Sequence, residues 1–142
     1  MKRKGCLLSE KHQIDLATYR IGRAKERLSS AEALLKSGNL ADSIGRSYYA
    51  IFTAVRALLA LKGLDSKRHS GVVALFNEHF IKTGLLAKEV YQIITSAKAK
   101  RERADYEDYV EFSKEEAEDQ LKKAKELVKE VETLLKKLTK GD

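Results

Sequence analysis

Residues 39–63 read NLADSIGRSYYAIFTAVRALLALKG. Asn39 is a favoured N-cap residue and Gly63 is a typical helix terminator, so we predict a helix from Asn39 to about Lys62. The side chains of its packing face recur at intervals of three and four, the repeat that lines one side of an α-helix. These positions are Leu40, Ile44, Ser47 or Tyr48, Ile51, Val55 and Leu58.

The same repeat predicts four further helices, at residues 9–37, 70–83, 87 to at least 104, and from 113 onward. The last is opened by a capping box, Ser113-Lys-Glu-Glu116. Residues 106–112 are interpreted as a bend or a frayed continuation. Nothing alternates with period two, so the predicted class is all-α, with four long helices and one short helix. The last helix has the heptad spacing of a bundle or coiled-coil seam, at Ala117, Leu121, Ala124, Val128, Val131, Leu135 and Leu138.

The length and composition predict one domain. A chain of 142 residues with 43% hydrophobic residues has room for a single core. We therefore treat residues 1–142 as one helical domain, with residues 1–8 as a flexible basic tail. The apolar run near the N-terminus is too short for a signal peptide, and no segment has the length of a membrane span. A cytoplasmic protein is expected, and the lone Cys6 excludes an intramolecular disulfide.

The charge is unevenly distributed along the chain. The formal net charge is +7, but residues 1–103 carry 20 Lys and Arg against 9 Asp and Glu, and residues 104–142 carry 8 against 12. A basic body favours binding to phosphates or nucleic acid. It is also compatible with self-association through acidic and basic patches, or with a simple requirement for solubility.

The segment Arg101-Glu-Arg-Ala-Asp-Tyr106 places charge where a helix should be apolar. The preceding apolar positions, continued at the same spacing, reach Arg101 and Asp105; those positions are Leu86, Val90, Ile93 and Ala97. A charge on a packing face is costly unless it is paired or functional. Two interpretations remain open, namely a structural ion pair between helices and a functional site.

Four more residues are candidates for a binding site. Arg46, Ser47 and Tyr48 are adjacent on the second predicted helix, and His69 lies in a basic loop just before a helix start. A buried serine usually bonds the carbonyl one turn back, and the loop histidine can equally be incidental. With Lys67, Arg68 and the free amides of the helix start, however, His69 would suit a phosphate.

Several kinds of site are missing from the sequence. It has no phosphate-cradling glycine-rich loop, no metal-ligand spacing and no nucleophile elbow. The acidic run from Asp105 to Asp119 is better explained as a solvated face than as a cation site. We therefore predict no metal and no cofactor.

In this order and spacing, several motifs resemble proteins of the HEPN domain family. The resemblance runs from about Leu16 to Leu135 and is to uncharacterised stand-alone HEPN proteins of archaea and bacteria. It implies an up-and-down bundle and a homodimer, often partnered with a minimal nucleotidyltransferase in a two-component, toxin–antitoxin-like system. The motifs are residues 39–52, Arg56 to Gly63, His69-Ser-Gly-Val with Phe76 and Phe80, Lys82-Thr-Gly84, and Arg101 to Tyr106.

The resemblance also implies an activity. Many HEPN proteins are metal-independent ribonucleases whose signature is an arginine followed about one turn later by a histidine. The arginine corresponds to Arg101, whereas no histidine follows His79, and Asp105 and Tyr106 stand in its place. Cleavage by a 2′-hydroxyl needs a base, an acid and charge stabilisation. Asp105 is a candidate base, but its charge would repel a phosphate.

We therefore predict a dimeric protein that binds nucleotide or RNA in a cleft near the dimer axis. Arg101 would be the phosphate ligand, oriented by Asp105, with Arg46, Ser47, Tyr48 and His69 as wall residues. Arg101 and Asp105 are also the candidate catalytic pair. The alternatives are a metal-independent ribonuclease with a degenerate motif, and a non-catalytic helical interaction module that contributes a face to a nucleotidyltransferase.

Overall fold

The computed structural model describes residues 6–106 and 111–140, with side chains from Glu10 onward. All regular structure in these ranges is helical and none is strand, so the all-α prediction is confirmed. No helix among these residues has the length and apolar character needed to cross a membrane. The elements are α1 (Cys6–Lys36), α2 (Leu40–Leu61), α3 (His69–Phe76), a π-helical turn (Asn77–Ile81), α4 (Lys88–Tyr106) and α5 (Lys114–Lys140).

The central element is α2, which packs against α1, α3, α4 and α5. Of its 22 residues, 13 are buried, far more than the single stripe of an ordinary surface helix. Three contacts show that α1 and α2 are antiparallel. Ser43 Oγ donates to the Ala31 carbonyl, Arg27 Nε to Thr53 Oγ1, and Arg20 Nη1 to the Arg56 carbonyl. The result is a long helical hairpin whose inner face is α2.

Glycines in the left-handed region end α1 and α2, at Gly38 (φ 84°) and Gly63 (φ 70°). A residue with a Cβ is strained in this conformation, which explains why glycine stands at both helix ends. Asn39 occupies the N-cap position of α2, but the predicted side-chain cap is wrong. Its ψ of 76° is not the extended value of a capping residue, and Nδ2 donates instead to Ser37 Oγ at 2.8 Å.

The capping box of α5 is confirmed. Glu116 N donates to Ser113 Oγ at 3.0 Å, and Ser113 N donates to Glu116 Oε1 at 3.1 Å. The bond from the Ser113 amide lowers the pKa of the Glu116 carboxyl, because it favours the charged form. The predicted heptad positions are buried except Leu138, which is 37% exposed. Gln120, Leu127 and Leu134 are buried as well, so α5 buries a broader face than a two-helix seam would need.

The boundaries of the remaining helices differ slightly from prediction. The helix starts at Cys6, so residues 6–8 of the predicted tail belong to α1, and residues 1–5 lie outside the described residues. The predicted helix 70–83 is α3 followed by the π-helical turn, which adds one residue per turn. In α4 the buried position is Ile94, and Ile93 is only partly buried. The predicted bend at 106–112 falls mostly on residues 107–110, outside the described residues.

Candidate functional site

Arg101 lies at the seam between α4 and α2 and is aimed at two tyrosines. Its side chain is 26% exposed. The guanidinium carbon lies 4.6 Å from the ring centroid of Tyr49 and 5.3 Å from that of Tyr48. Nη2 donates to the Tyr49 hydroxyl at 2.5 Å and lies 3.3 Å from Asp105 Oδ2. The predicted Arg101–Asp105 pair therefore exists, with the arginine half-buried and the aspartate more exposed.

His69, the first residue of α3, contacts the same tyrosine pair through Tyr48. Its Nδ1 is 3.1 Å from the Tyr48 hydroxyl, and its ring centroid is 4.0 Å from that of Phe52. Tyr48 is only 2% exposed and stacks on Phe52 at 6.0 Å. The histidine is thus held by one hydrogen bond and one aromatic contact, so it is not an incidental loop residue.

The electrostatics of this cluster keep His69 neutral and Tyr48 protonated. Although His69 as a residue is exposed, its ring is partly desolvated, and this lowers its pKa; the positive charges of Arg101, Arg56 and Lys98 lower it further. Burial raises the pKa of Tyr48, and the nearby Arg101 only partly opposes this. At neutral pH the site therefore combines a fixed cation with an uncharged imidazole.

A titration tests this geometry. We expect NMR to give His69 a pKa below its ordinary value of about 6.5, and we expect Arg101→Gln to raise it, because one of the nearby positive charges is removed. Because the folded-state pKa is lowered, His69 stabilises the protein fully above the unfolded value, and this contribution declines as pH falls through both values. An unchanged pKa in Arg101→Gln would show that the two groups do not interact; Lys129→Gln, an exposed site on α5, is the control.

Arg46 and Ser47 are placed very differently. Arg46 is exposed and lines a shallow cavity of about 330 Å³ together with Tyr49, Arg101 and Asp105. Ser47 is 0% exposed, and its hydroxyl has no hydrogen-bond partner among the described residues. The usual bond to the carbonyl one turn back is therefore not made, and Ser47 lies in the core rather than in a wall. It points inward because it shares the packing face of Ile44 and Ile51.

The predicted phosphate site at the start of α3 is partly occupied by the protein itself. Asp65 accepts from the Ser66 amide at 2.8 Å and from Arg56 Nη2 at 3.0 Å, and Ser66 Oγ accepts from the Arg68 amide. A Cβ added at Gly71 would meet Ser66 Oγ at 2.1 Å, so this hydroxyl fills the space beside the Gly71 backbone. His69, which was predicted to lie in this loop, contacts the Tyr48 hydroxyl and the Phe52 ring instead.

The structure shows a basic groove that is not among the sites predicted from the sequence. A cavity of about 320 Å³ between α1 and α2, which we call the arginine groove, is lined by Arg20, Arg23, Arg27 and Arg56, with Tyr19, Tyr49, Phe52, Thr53 and His69. The α1 arginines are spaced i, i+3 and i+7, so they share one helix face. That spacing was visible in the sequence. The position of these arginines opposite α2 cannot be inferred from the spacing, because it depends on how the two helices pack.

Comparison with known proteins identifies the family. The sequence profile of the HEPN domain matches residues 17–134, nearly the whole helical bundle. The chain belongs to the HEPN family. A UPF0332 protein of Thermotoga maritima is 38% identical to this HEPN protein over 134 residues, covering 94% of this chain and all of the relative.

Two further relatives come from Methanocaldococcus jannaschii, and both are provisionally named as toxins. One is 40% identical over 98 residues, covering 69% of this chain and 67% of the relative. The other is 35% identical over 115 residues, covering 81% and 85%. The family predicted from the motifs is thus confirmed.

Proposed function

We propose that this HEPN protein binds RNA or nucleotide phosphates through Arg101, as one component of a toxin–antitoxin-like pair. The observation that carries the proposal is a half-buried guanidinium held over two tyrosines at the edge of an open cavity. Among the described residues its polar contacts are to Tyr49 and Asp105, and both use Nη2. A guanidinium has five N–H donors, so others remain for phosphate oxygens.

The surroundings of Arg101 also suit an anion. Arg46 shares its cavity, and His69 and Arg56 line the neighbouring arginine groove, which shares Tyr49 with that cavity. Asp105 is the opposing charge, but it is exposed enough to be screened by solvent, and it keeps the long arginine side chain in place. A base that enters the cavity would meet the partly exposed ring of Tyr49, which supports stacking.

The test is binding of a fluorescent uridylate decamer in EDTA, followed by anisotropy. Loss of a charge-assisted contact costs about 1.5–3 kcal/mol, so Arg101→Gln should weaken binding about 10- to 100-fold. Arg101→Lys should recover only part of this, because it keeps the charge and loses the planar fork. Lys129→Gln removes the same unit of charge from α5 and should bind like the wild type.

The melting curve of each variant separates binding from folding. An Arg101→Gln protein with unchanged melting and unchanged RNA affinity would contradict the proposal. A wild-type protein that binds neither RNA nor nucleotide would favour the alternative of a non-catalytic interaction module.

We further propose a homodimer in the cytoplasm that works with a minimal nucleotidyltransferase. The family membership and the toxin names of two relatives support this. Light scattering should give twice the mass of one chain, 32 kDa against 16.0 kDa. Co-expression with a nucleotidyltransferase encoded beside this protein should yield a complex that survives purification.

A second candidate function is metal-independent RNA cleavage, favoured by the position of His69. The family signature places a histidine after the arginine, and here Asp105 and Tyr106 follow Arg101 instead. The structure brings a histidine to the same tyrosine pair from α3. With Nδ1–H donating to the Tyr48 oxygen, Nε2 is free to take the proton of a ribose 2′-hydroxyl.

The atoms of such a step balance without another reactant. The 2′-oxygen forms a bond to the adjacent phosphorus while the bond to the 5′-oxygen breaks, and the proton on His69 is returned to that leaving oxygen. Arg101 would stabilise the charge on the non-bridging oxygens. The products are a 2′,3′-cyclic phosphate and a 5′-hydroxyl.

A further inference from the structure

The arginine groove presents two matched lines of side chains. On α1, Arg20, Arg23 and Arg27 follow the spacing i, i+3, i+7, and on α2, Tyr49, Phe52 and Arg56 do the same. Seven residues of α-helix rise about 10 Å. The groove is therefore a short basic channel, about as long as three nucleotides of a stacked strand at 3.4 Å each.

The positive charge in this channel is only partly neutralised. Arg20 and Arg27 donate to uncharged groups, the Arg56 carbonyl at 3.1 Å and Thr53 Oγ1 at 3.3 Å. Arg56 pairs with Asp65, and Arg23 pairs with Glu26. Within the part of the chain that the structure describes, the four guanidinium groups thus form ion pairs with two carboxylates. Partial burial lowers the pKa of Arg20, and the neighbouring Arg56 lowers it further, as expected where like charges are crowded.

Aromatic rings interrupt the line of cations. Tyr19 is 63% exposed and stands beside Arg20 and Arg23, while Tyr49 forms the boundary with the cavity of Arg101. The groove and the Arg101 cavity therefore share the Tyr49 ring as a common wall. Cations that follow a phosphate backbone, with aromatic faces for the bases, are the pattern of single-strand binding surfaces.

We propose that the arginine groove binds the backbone of a single strand of RNA that passes over Tyr49 to Arg101. The ligand is then a strand of several nucleotides rather than one nucleotide. This inference rests on the proposed function and extends its site along α1. An acidic peptide would satisfy the arginines, but it would leave the exposed rings without partners, so RNA is the better match.

The test compares long and short ligands. The double variant Arg23→Gln/Arg27→Gln is compared with Lys122→Gln/Lys129→Gln, which removes the same charge from exposed sites on α5. For single strands the salt slope is about 0.7 per neutralised phosphate. The groove variant should therefore bind the uridylate decamer at least about tenfold more weakly at low salt, with a slope smaller by about 1.4.

Binding of a diuridylate, followed by NMR titration, should depend on Arg101 and be nearly unchanged in the groove variant. If the groove variant has a lower melting temperature than the wild type, the single variant Arg23→Gln replaces it in the test. The Arg23 side chain is 43% exposed and forms a surface ion pair with Glu26, so this change should not disturb the fold. That single variant should lower the slope by about 0.7.

The outcomes separate the two proposals. If Arg101→Gln weakens the decamer and the groove variant does not, the groove inference fails and the proposed function stands. If the wild type binds neither ligand, both fail. If polyglutamate displaces the decamer at equal charge concentration, the groove selects acidic chains in general, and the inference of an RNA strand is overturned.

Discussion

Leu127→Ala is expected to lower the free energy of unfolding by about 3 kcal/mol, within the 2–5 kcal/mol usual for a leucine deleted from a core. Leu127 is 0% exposed and belongs to the main cluster of buried side chains. In a domain with a total stability of about 5–15 kcal/mol this is a large fraction. Urea denaturation followed by far-ultraviolet circular dichroism measures it, and the melting temperature should fall by about 10 °C.

Leu138→Ala is the matched control on the same helix. Leu138 occupies the predicted heptad, yet it is 37% exposed near the end of α5. Leu138→Ala should lower the free energy of unfolding by less than about 1 kcal/mol. A larger loss for Leu138→Ala than for Leu127→Ala would mean that α5 packs by the predicted heptad alone, contrary to the structure.

His69→Gln is expected to reduce metal-independent cleavage of single-stranded RNA by about 100-fold or more, the usual contribution of a positioned general base. In the proposed mechanism Nε2 of His69 is the proton acceptor, while Nδ1 contacts the Tyr48 hydroxyl. The measurement is single-turnover cleavage of a labelled oligonucleotide in EDTA, with the 2′-deoxy strand as the uncleavable substrate.

The pH profile of this reaction follows from the direction of the His69 pKa. Because the pKa of His69 is lowered, the rate should rise with pH and reach half of its plateau value below pH 6.5. Arg101→Gln should lower the rate and move the rise to higher pH. His12→Gln changes an exposed histidine on α1 and should leave both unchanged. Normal cleavage by His69→Gln would exclude His69 as the base.

The candidate site was predictable in part. The sequence indicates Arg101 because a charge continues an apolar helix face, and it indicates Tyr48 and His69 because one is a polar residue on a helix face and the other a titratable residue just before a predicted helix. The structure brings these three together, whereas Ser47, from the same motif, is in the core. Helical periodicity gives the direction of a side chain only to within about 100°, the rotation between successive residues of an α-helix. It cannot separate a residue at the rim of a seam from one at its centre.

The arginine groove shows a second limit to what can be predicted from the sequence. The three arginines of α1 share a face by spacing alone, but their partners lie some 30 residues away, as in the contacts Arg20–Arg56 and Arg27–Thr53. Which face of α1 turns toward which face of α2 depends on the packing of the hairpin.

The sequence by itself determined the helical class, most helix ends and the capping box of α5, because periodicity, caps and glycine terminators act within a few residues of the chain. It also indicated the family, through the resemblance of its motifs to those of HEPN proteins. Tertiary structure alone decided that His69 approaches Tyr48 from another helix, that Leu127 is buried while Leu138 is not, and that four arginines form a single groove. These features depend on distances between segments far apart in sequence, and only the packing of helices against one another sets those distances.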